Sequence, residues 1–304
     1  MDIAVLVLLF YLSVIGHEFA HLITMQNNNV RVREFGIGIK KGPRISYLAK
    51  SGRYEGMRFS FYPMTFFLGA FVDAEEKLFE LPYKKRSLIF FAGPLANIHF
   101  GCLLYILLFA STIIPAIQTH VTTAWGMSDW ILYFYYFILS SPFLWVSILA
   151  IFILWFGRKI ISAYLAPFIG IFLLAWLFHS IYDSGGAVTY FSEVTGPVGF
   201  AADLPNMASD LWSSVEWAAQ LSIGLGAINL LPIFPLDGGY VFLPIVEKIV
   251  PPCVPMYKKV GMVLMASLMS FIIAKDIIMI AGYFGLIICF IIALLIYFRK
   301  KIFL

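Results

Sequence analysis

The apolar residues of this chain gather into seven long runs, at about 3–25, 88–114, 131–156, 160–181, 217–246, 260–276 and 277–298. A helix needs about 20 predominantly apolar residues to cross the hydrocarbon core of a bilayer. Gly157-Arg158-Lys159 makes a tight turn between the third and fourth runs. Only Lys275-Asp276 separates the last two, so they form either a hairpin or one long broken element. The pattern predicts a polytopic α-helical membrane protein with about 6–7 transmembrane helices.

The pattern changes between residues 30 and 72. Short alternating pieces appear at Glu34 to Ile39, Arg44 to Leu48 and Tyr54 to Tyr62, punctuated by Gly42-Pro43 and Ser51-Gly52. Period-two alternation between turn signals predicts β-hairpins. The next piece, Pro63 to Val72, is apolar but too short to span, and suits a segment that dips into or lies on the bilayer. A small, cytosolic, membrane-associated hairpin region is therefore expected.

Composition agrees. The chain has 304 residues, of which 61% are hydrophobic and 12% charged, with a mean hydropathy of +0.90. A soluble domain averages nearer to about 25% charged. Cys102, Cys253 and Cys289 are far apart and form no C-x-x-C, so neither a disulfide framework nor a cysteine zinc site is indicated. Asp2 stands where a signal peptide would carry basic residues, and no cleaved leader is expected.

Charge position sets a direction. Twelve of the 21 Lys and Arg residues lie between Gln26 and Ser87, whereas 115–130 and 182–216 contain acidic residues and no basic one. With seven spans, Arg158-Lys159, Lys258-Lys259 and Arg299-Lys300-Lys301 fall on the same side as the first cluster. The positive-inside rule then places the N-terminus outside and that side in the cytosol. The expected location is a multi-pass position in a bacterial or archaeal cell membrane, with the lipid bilayer as partner and no nucleic acid.

Chemistry enters with His17-Glu18-Phe19-Ala20-His21, inside the first apolar run. On a helix, H-E-x-x-H puts two imidazoles on one face with a carboxylate beside them. That trio is the core of a hydrolytic zinc site, in which two His bind the metal and Glu is the general base. Ionisable residues at bilayer depth are costly unless paired or ligated. At about 1.5 Å per residue, the trio lies about 6–12 Å from the inner end of its span.

A zinc held by two His needs a third protein ligand. The fifth run is broken by Asn229-Leu230-Leu231-Pro232-Ile233-Phe234-Pro235-Leu236-Asp237-Gly238-Gly239. Broken helices are tolerated at membrane depth only when buried in protein or lining a wet cavity. Asp237 reads on its own as a turn or capping residue ahead of Gly-Gly. Its depth, in the cytosolic half like His17 and His21, favours ligation. A third interrupted stretch, Phe91-Ala92-Gly93-Pro94-Leu95-Ala96-Asn97, loosens the start of the second span. There Asn97 either hydrogen-bonds a substrate backbone or serves packing.

These features, in this order, resemble the site-2 protease family of intramembrane zinc metalloproteases. The matching features are His17-Glu18-x-x-His21, the β-rich segment ending near Gly69, Gly93-Pro94-Leu95-Ala96-Asn97, and Asn229-Leu230-Leu231-Pro232 leading to Leu236-Asp237-Gly238-Gly239. Gly196-Pro197-Val198-Gly199 is similar too, and the match covers roughly 1–114 and 190–275. The resemblance implies Zn2+ bound by His17, His21 and Asp237, and Glu18 activating water. It implies a substrate cleft with Asn229, Pro232, Asn97 and Gly69, and strand addition by an unwound substrate. The substrate implied is a membrane-anchored protein with a helix-destabilised transmembrane segment, recruited with or without an accessory or regulatory membrane protein. The resemblance is to a member without PDZ or CBS domains.

The expected domain plan is a first core span with H-E-x-x-H at 1–29, the hairpin and membrane-dipping segment at 30–87, and a second core span at 88–114. Two accessory spans follow at 115–187, then the third and fourth core spans at 188–276, and a final span with a basic tail at 277–304. Two other readings compete with intramembrane proteolysis. A membrane metalloprotease of the prenyl-protein-processing kind takes its third ligand from a Glu on a later helix, against which Asp237 argues. A pseudoprotease or metal-binding transporter is opposed by the complete trio and by the lack of further polar residues along a path. His99 and His179 have no partner at ligand spacing and read as packed or interfacial.

Overall fold

A run of leucine, isoleucine, valine and alanine, with Asp2 complementing the positive end of the helix dipole, forms α1 over Asp2–Asn27. It ends at three asparagines, of which Asn29 takes the left-handed conformation at φ 60°. A computed structural model describes residues 2–66, 69–121, 166–183, 203–276 and 278. After four strands come α2 (Tyr83–Val121), α3 (Ala166–Asp183), α4 (Leu211–Asn229), α5 (Asp237–Ile249) and α6 (Pro251–Asp276, opening in a 3-10 turn). Among the described residues, three helices are long and apolar enough to cross a membrane: Asp2–Asn27, Tyr83–Leu108 and Pro251–Asp276. The predicted run at 131–156 lies outside the described residues, as does nearly all of 277–298.

One expectation changes, and the expected break in the fifth run takes shape. The stretch Gly93-Pro94 does not open the second helix: α2 begins at Tyr83, directly after Pro82, and passes through Pro94 without a break. The apolar run at 217–246 is two helices, α4 and α5, with a non-helical turn at 230–236 between them.

The core is a three-helix packing with a polar layer in its middle. On α1 the buried residues Leu6, Ser13, His17, His21, Leu22 and Met25 form one stripe at helical spacing. At one end, Leu6 packs with Leu104 of α2 and Val215, Ala218 and Ala219 of α4. At the other, Leu22 and Met25 pack with Ile89, Phe90 and Phe91 of α2, Leu230 and Val241. Later residues of α1 therefore meet earlier residues of α2 and later residues of α4. Helices α1 and α4 run in the same direction, and α2 runs against both. The hydroxyl of Ser214 reaches the Asp2 carbonyl at 3.0 Å, and those of Ser13 and Ser222 lie 2.5 Å apart.

The β-rich segment is one four-stranded sheet: β1 (Val32–Ile37), β2 (Ile45–Leu48), β3 (Arg58–Phe61) and β4 (Ala70–Ala74), in the order β2-β3-β1-β4. The β2–β3 pair is the antiparallel hairpin the alternation predicts, whereas β1 pairs with β3 in parallel and with β4 antiparallel. The register puts Val72, Phe35, Phe59 and Tyr47 on one face, with Ile37, Phe61 and Ile45 beside them. That apolar face turns to α1, where Phe19 meets Phe35 edge to face at 6.0 Å. Farther along, the Tyr11 hydroxyl donates to the Phe66 carbonyl. The sheet thus runs back beside α1 from its C-terminal end, rather than hanging below it.

The other face carries the charged residues, beside Phe71 and Leu48. Glu34 and Asp73 are directly opposed across β1 and β4, which repels unless a cation intervenes. Lys40 supplies it, at 2.5 Å from Asp73 and 3.2 Å from Glu34. The hydrogen bond to Asp73, helped by Glu34, raises the Lys40 pKa above its ordinary value and keeps the ammonium charged. Because β1 is the one strand that pairs with β4, this clamp fixes an edge strand. Lys40→Met is expected to weaken β1–β4 pairing by about 1 kcal/mol, since the lysine is part-exposed. Faster hydrogen exchange at the β4 amides, with α1 and α2 unchanged, is the expected readout; unchanged β4 exchange would refute the clamp.

Candidate metal centre

The helical spacing of His17 and His21 brings their Nε2 atoms to 3.2 Å from each other, on the buried stripe of α1. The third member arrives from a distant part of the chain. Helix α4 ends at Asn229, the chain turns through 230–236 with a cis peptide at Phe234-Pro235, and Asp237 opens α5. Its Oδ2 lies 3.0 Å from His17 Nε2 and 3.3 Å from His21 Nε2.

Local chemistry explains how the turn closes this tightly. A Cβ on Gly238 would stand 2.2 Å from the Leu230 carbonyl oxygen, so only glycine lets α5 start against the end of α4. The turn satisfies its own backbone: Leu231 N donates to Ile228 O at 3.0 Å, and Leu236 N to Ile233 O at 2.9 Å. The Tyr257 hydroxyl of α6 lies 2.9 Å from Pro232 O and 3.1 Å from Gly239 O. Buried irregular backbone requires this kind of satisfaction. Helix α3 closes the same turn from outside, where a Cβ on Gly170 would meet Leu230 O at 2.6 Å.

The donor set fits a zinc ion. Tetrahedral zinc with bonds of about 2.0–2.1 Å sets its ligand atoms roughly 3.3–3.4 Å apart. The observed separations of 3.0, 3.2 and 3.3 Å lie close to one face of that tetrahedron. The far side of His21 is fixed as well: its Nδ1 lies 2.7 Å from the Ile89 carbonyl oxygen. That oxygen only accepts, so Nδ1 carries the proton and Nε2 keeps its lone pair for a metal. Space is kept open by Gly93 of α2. A Cβ there would fall 2.3 Å from His21 Nε2 and 2.5 Å from His17 Nε2, in the hollow the donors face.

Glu18, half-buried, sits one residue after His17 and within hydrogen-bond reach of the Val72 backbone amide of β4. The edge strand therefore borders the carboxylate that the motif reserves for acid–base work. Asn97 is fully buried, with its Oδ1 3.1 Å from His17 Nδ1. Asn229 is the last residue of α4, and Pro232 lies on the turn that carries Asp237. Gly69, at φ 132°, leads into β4, and its carbonyl accepts from Gly38 N at 2.7 Å. His99 is apart from the cluster, its Nδ1 3.0 Å from the Leu95 carbonyl of its own helix. The spacing of motifs did not reveal the parts played by Ile89 O, Gly93, Ser13, Ser222 and Tyr257. Each acts through a backbone group, a missing atom or a single hydroxyl.

The sequence is similar to those of known proteins. The model of peptidase family M50 matches residues 5–274. The zinc metalloprotease RasP of Geobacillus kaustophilus is 40% identical over 57 residues, covering 18% of this chain and 14% of its own length. A candidate zinc metalloprotease of Synechocystis is 34% identical over 91 residues, covering 28% of this chain and 25% of its own. Another, of Mesorhizobium japonicum, is 36% identical over 93 residues, covering 28% of this chain and 24% of its own. The chain thus spans about a quarter or less of the length of these relatives.

Gly93→Ala tests the hollow. The substitution favours helix by about 1 kcal/mol, so α2 is expected to persist. The added methyl is expected to weaken zinc binding at least tenfold, read by competition with a chelator. Wild-type affinity in Gly93→Ala would show that the donors face elsewhere.

Proposed function

This chain belongs to peptidase family M50, the site-2 protease family, and from that premise we propose that it is an intramembrane zinc metalloprotease. The reaction proposed is hydrolysis of peptide bonds within transmembrane segments of membrane-anchored proteins. The observation that carries the reading is the convergence of His17, His21 and Asp237 on α1 and α5, with Glu18 alongside. The names of the zinc metalloprotease relatives support the same metal.

His17, His21 and Asp237 would hold the zinc. Bound there, it would supply the Lewis acidity that makes water a nucleophile near neutral pH and polarises a carbonyl. Glu18 takes a proton from the attacking water and returns it to the amine nitrogen as the C–N bond breaks, so the water's hydroxyl ends on the carbonyl carbon. The flanking β4 aligns an extended substrate by strand addition, with Asn229, Pro232 and Gly69 bordering the cleft. A helical substrate unwinds first, because its carbonyls are bonded and shielded. Substrates with helix-destabilising residues near the cut are therefore preferred.

The topology that goes with this reading has six or seven spans, the N-terminus outside and the site towards the cytosol. It rests on the concentration of Lys and Arg between Gln26 and Ser87. Water then reaches the site from the cytosolic face. An accessory membrane protein is the expected means of presenting substrate.

Glu18→Gln keeps size and removes the base. Cleavage of a reconstituted membrane-anchored substrate is expected to fall by a factor of about 10²–10⁴, with zinc content unchanged. Near wild-type cleavage in this variant would remove Glu18 from its assigned role.

A further inference from the structure

Two imidazoles can serve as metal ligands through Nε2 only when each Nδ1 carries the proton. A carbonyl imposes this on His21, since the Ile89 oxygen cannot donate. His17 has a different neighbour. Its Nδ1 faces the side chain of Asn97, an amide with an acceptor at one end and a donor at the other. With Oδ1 towards the ring, at 3.1 Å, His17 takes the tautomer that leaves Nε2 free. With the amide turned over, the NH2 group would push the proton to Nε2 and spoil the ligand.

The surroundings hold Asn97 in place. The Ser222 hydroxyl donates to the Asn97 main-chain carbonyl at 2.7 Å. That uses its one proton, so Ser13 is the donor in the 2.5 Å contact between Ser13 and Ser222. Ser13 lies one turn before His17 on α1, and the chain of bonds therefore ties α1, α4 and α2 together at the level of the ligand. Asn97 has no exposed surface, and its Nδ2 has no partner among the described residues. An orphaned buried donor is costly, and apolar side chains of similar size avoid that cost. Packing alone does not account for an amide here.

We infer that Asn97 is a positioning residue that sets the tautomer and ring orientation of His17 as a metal ligand, through its Oδ1 and at no cost in site charge. This rests on the metal reading above. Both outer partners, Asn97 and the Ile89 carbonyl, are neutral, so among the three ligands and these two partners Asp237 alone supplies negative charge. An aspartate at 97 also accepts from Nδ1–H and adds charge, whereas leucine keeps the volume and accepts nothing.

The test is zinc affinity of the full chain in detergent, by chelator competition, for wild type, Asn97→Leu, Asn97→Asp and His17→Ala, with cobalt absorption as a second readout. Loss of an outer partner of a metal-bound His typically costs 10–100-fold in affinity. Asn97→Leu is expected to bind that much more weakly with an altered cobalt spectrum, and Asn97→Asp at least as tightly as wild type. Wild-type affinity in Asn97→Leu, with binding lost in His17→Ala, overturns the inference and leaves the metal reading standing. Should Asn97→Leu fail to fold, Asn97→Asp decides: tenfold weaker binding there overturns the inference. Binding unchanged in His17→Ala overturns the metal reading and the inference with it.

Discussion

Two imidazole nitrogens and a carboxylate oxygen within 3.3 Å of one another form a concentrated set of lone pairs in a poorly solvated place. Such a set is unfavourable unless a proton or a metal cation is shared among them, and the low dielectric magnifies the cost of leaving it unshared. Most of the described fold serves to hold these three atoms together. Because α1 and α4 run in the same direction, the break after α4 falls at the level of His17 and His21. Gly238 and the self-bonded turn allow α5 to begin close enough for Asp237 to reach. Gly93 then leaves the space that the donors face.

The same constraint orders the core along its length. Apolar clusters lie at both ends of the three-helix packing, with Leu6 and Leu104 in one and Leu22, Ile89 and Leu230 in the other. Between them is a layer of Ser13, His17, His21, Asn97 and Ser222, all buried. Bonds across helices, from Ser13 to Ser222, Ser222 to Asn97 and Asn97 to His17, make such a buried polar layer tolerable, with Asn97 Nδ2 left unpaired among the described residues. The sheet adds an edge beside Glu18 without contributing a donor to the metal. Its apolar face rests on α1, and its charged face is neutralised by Lys40.

Much of this was legible in the sequence, for reasons that differ by element. His17 and His21 are four residues apart, and helical geometry alone puts them on one face. The break at 230–236 announced itself through Pro232, Pro235 and Gly238-Gly239, because those residues disrupt helices wherever they occur. Pairing across long separations was not legible. The parallel β1–β3 ladder and the β1–β4 ladder depend on which strand edges meet, and alternation says nothing about that. Gly93-Pro94 looked like a helix start, yet Pro94 lies inside α2, where Gly226 of α4 approaches its carbonyl, and Gly93 faces His17 and His21. The contact from Asn97 to His17 spans eighty positions and is visible only in three dimensions.

The most direct test of the metal centre is X-ray absorption at the zinc edge on the purified chain. One zinc per chain with a first shell of nitrogen and oxygen at about 2.0–2.1 Å, and a multiple-scattering signature of two imidazoles, is the predicted result. A shell containing sulfur, a single imidazole, or no zinc retained by folded protein would contradict the assignment of His17, His21 and Asp237.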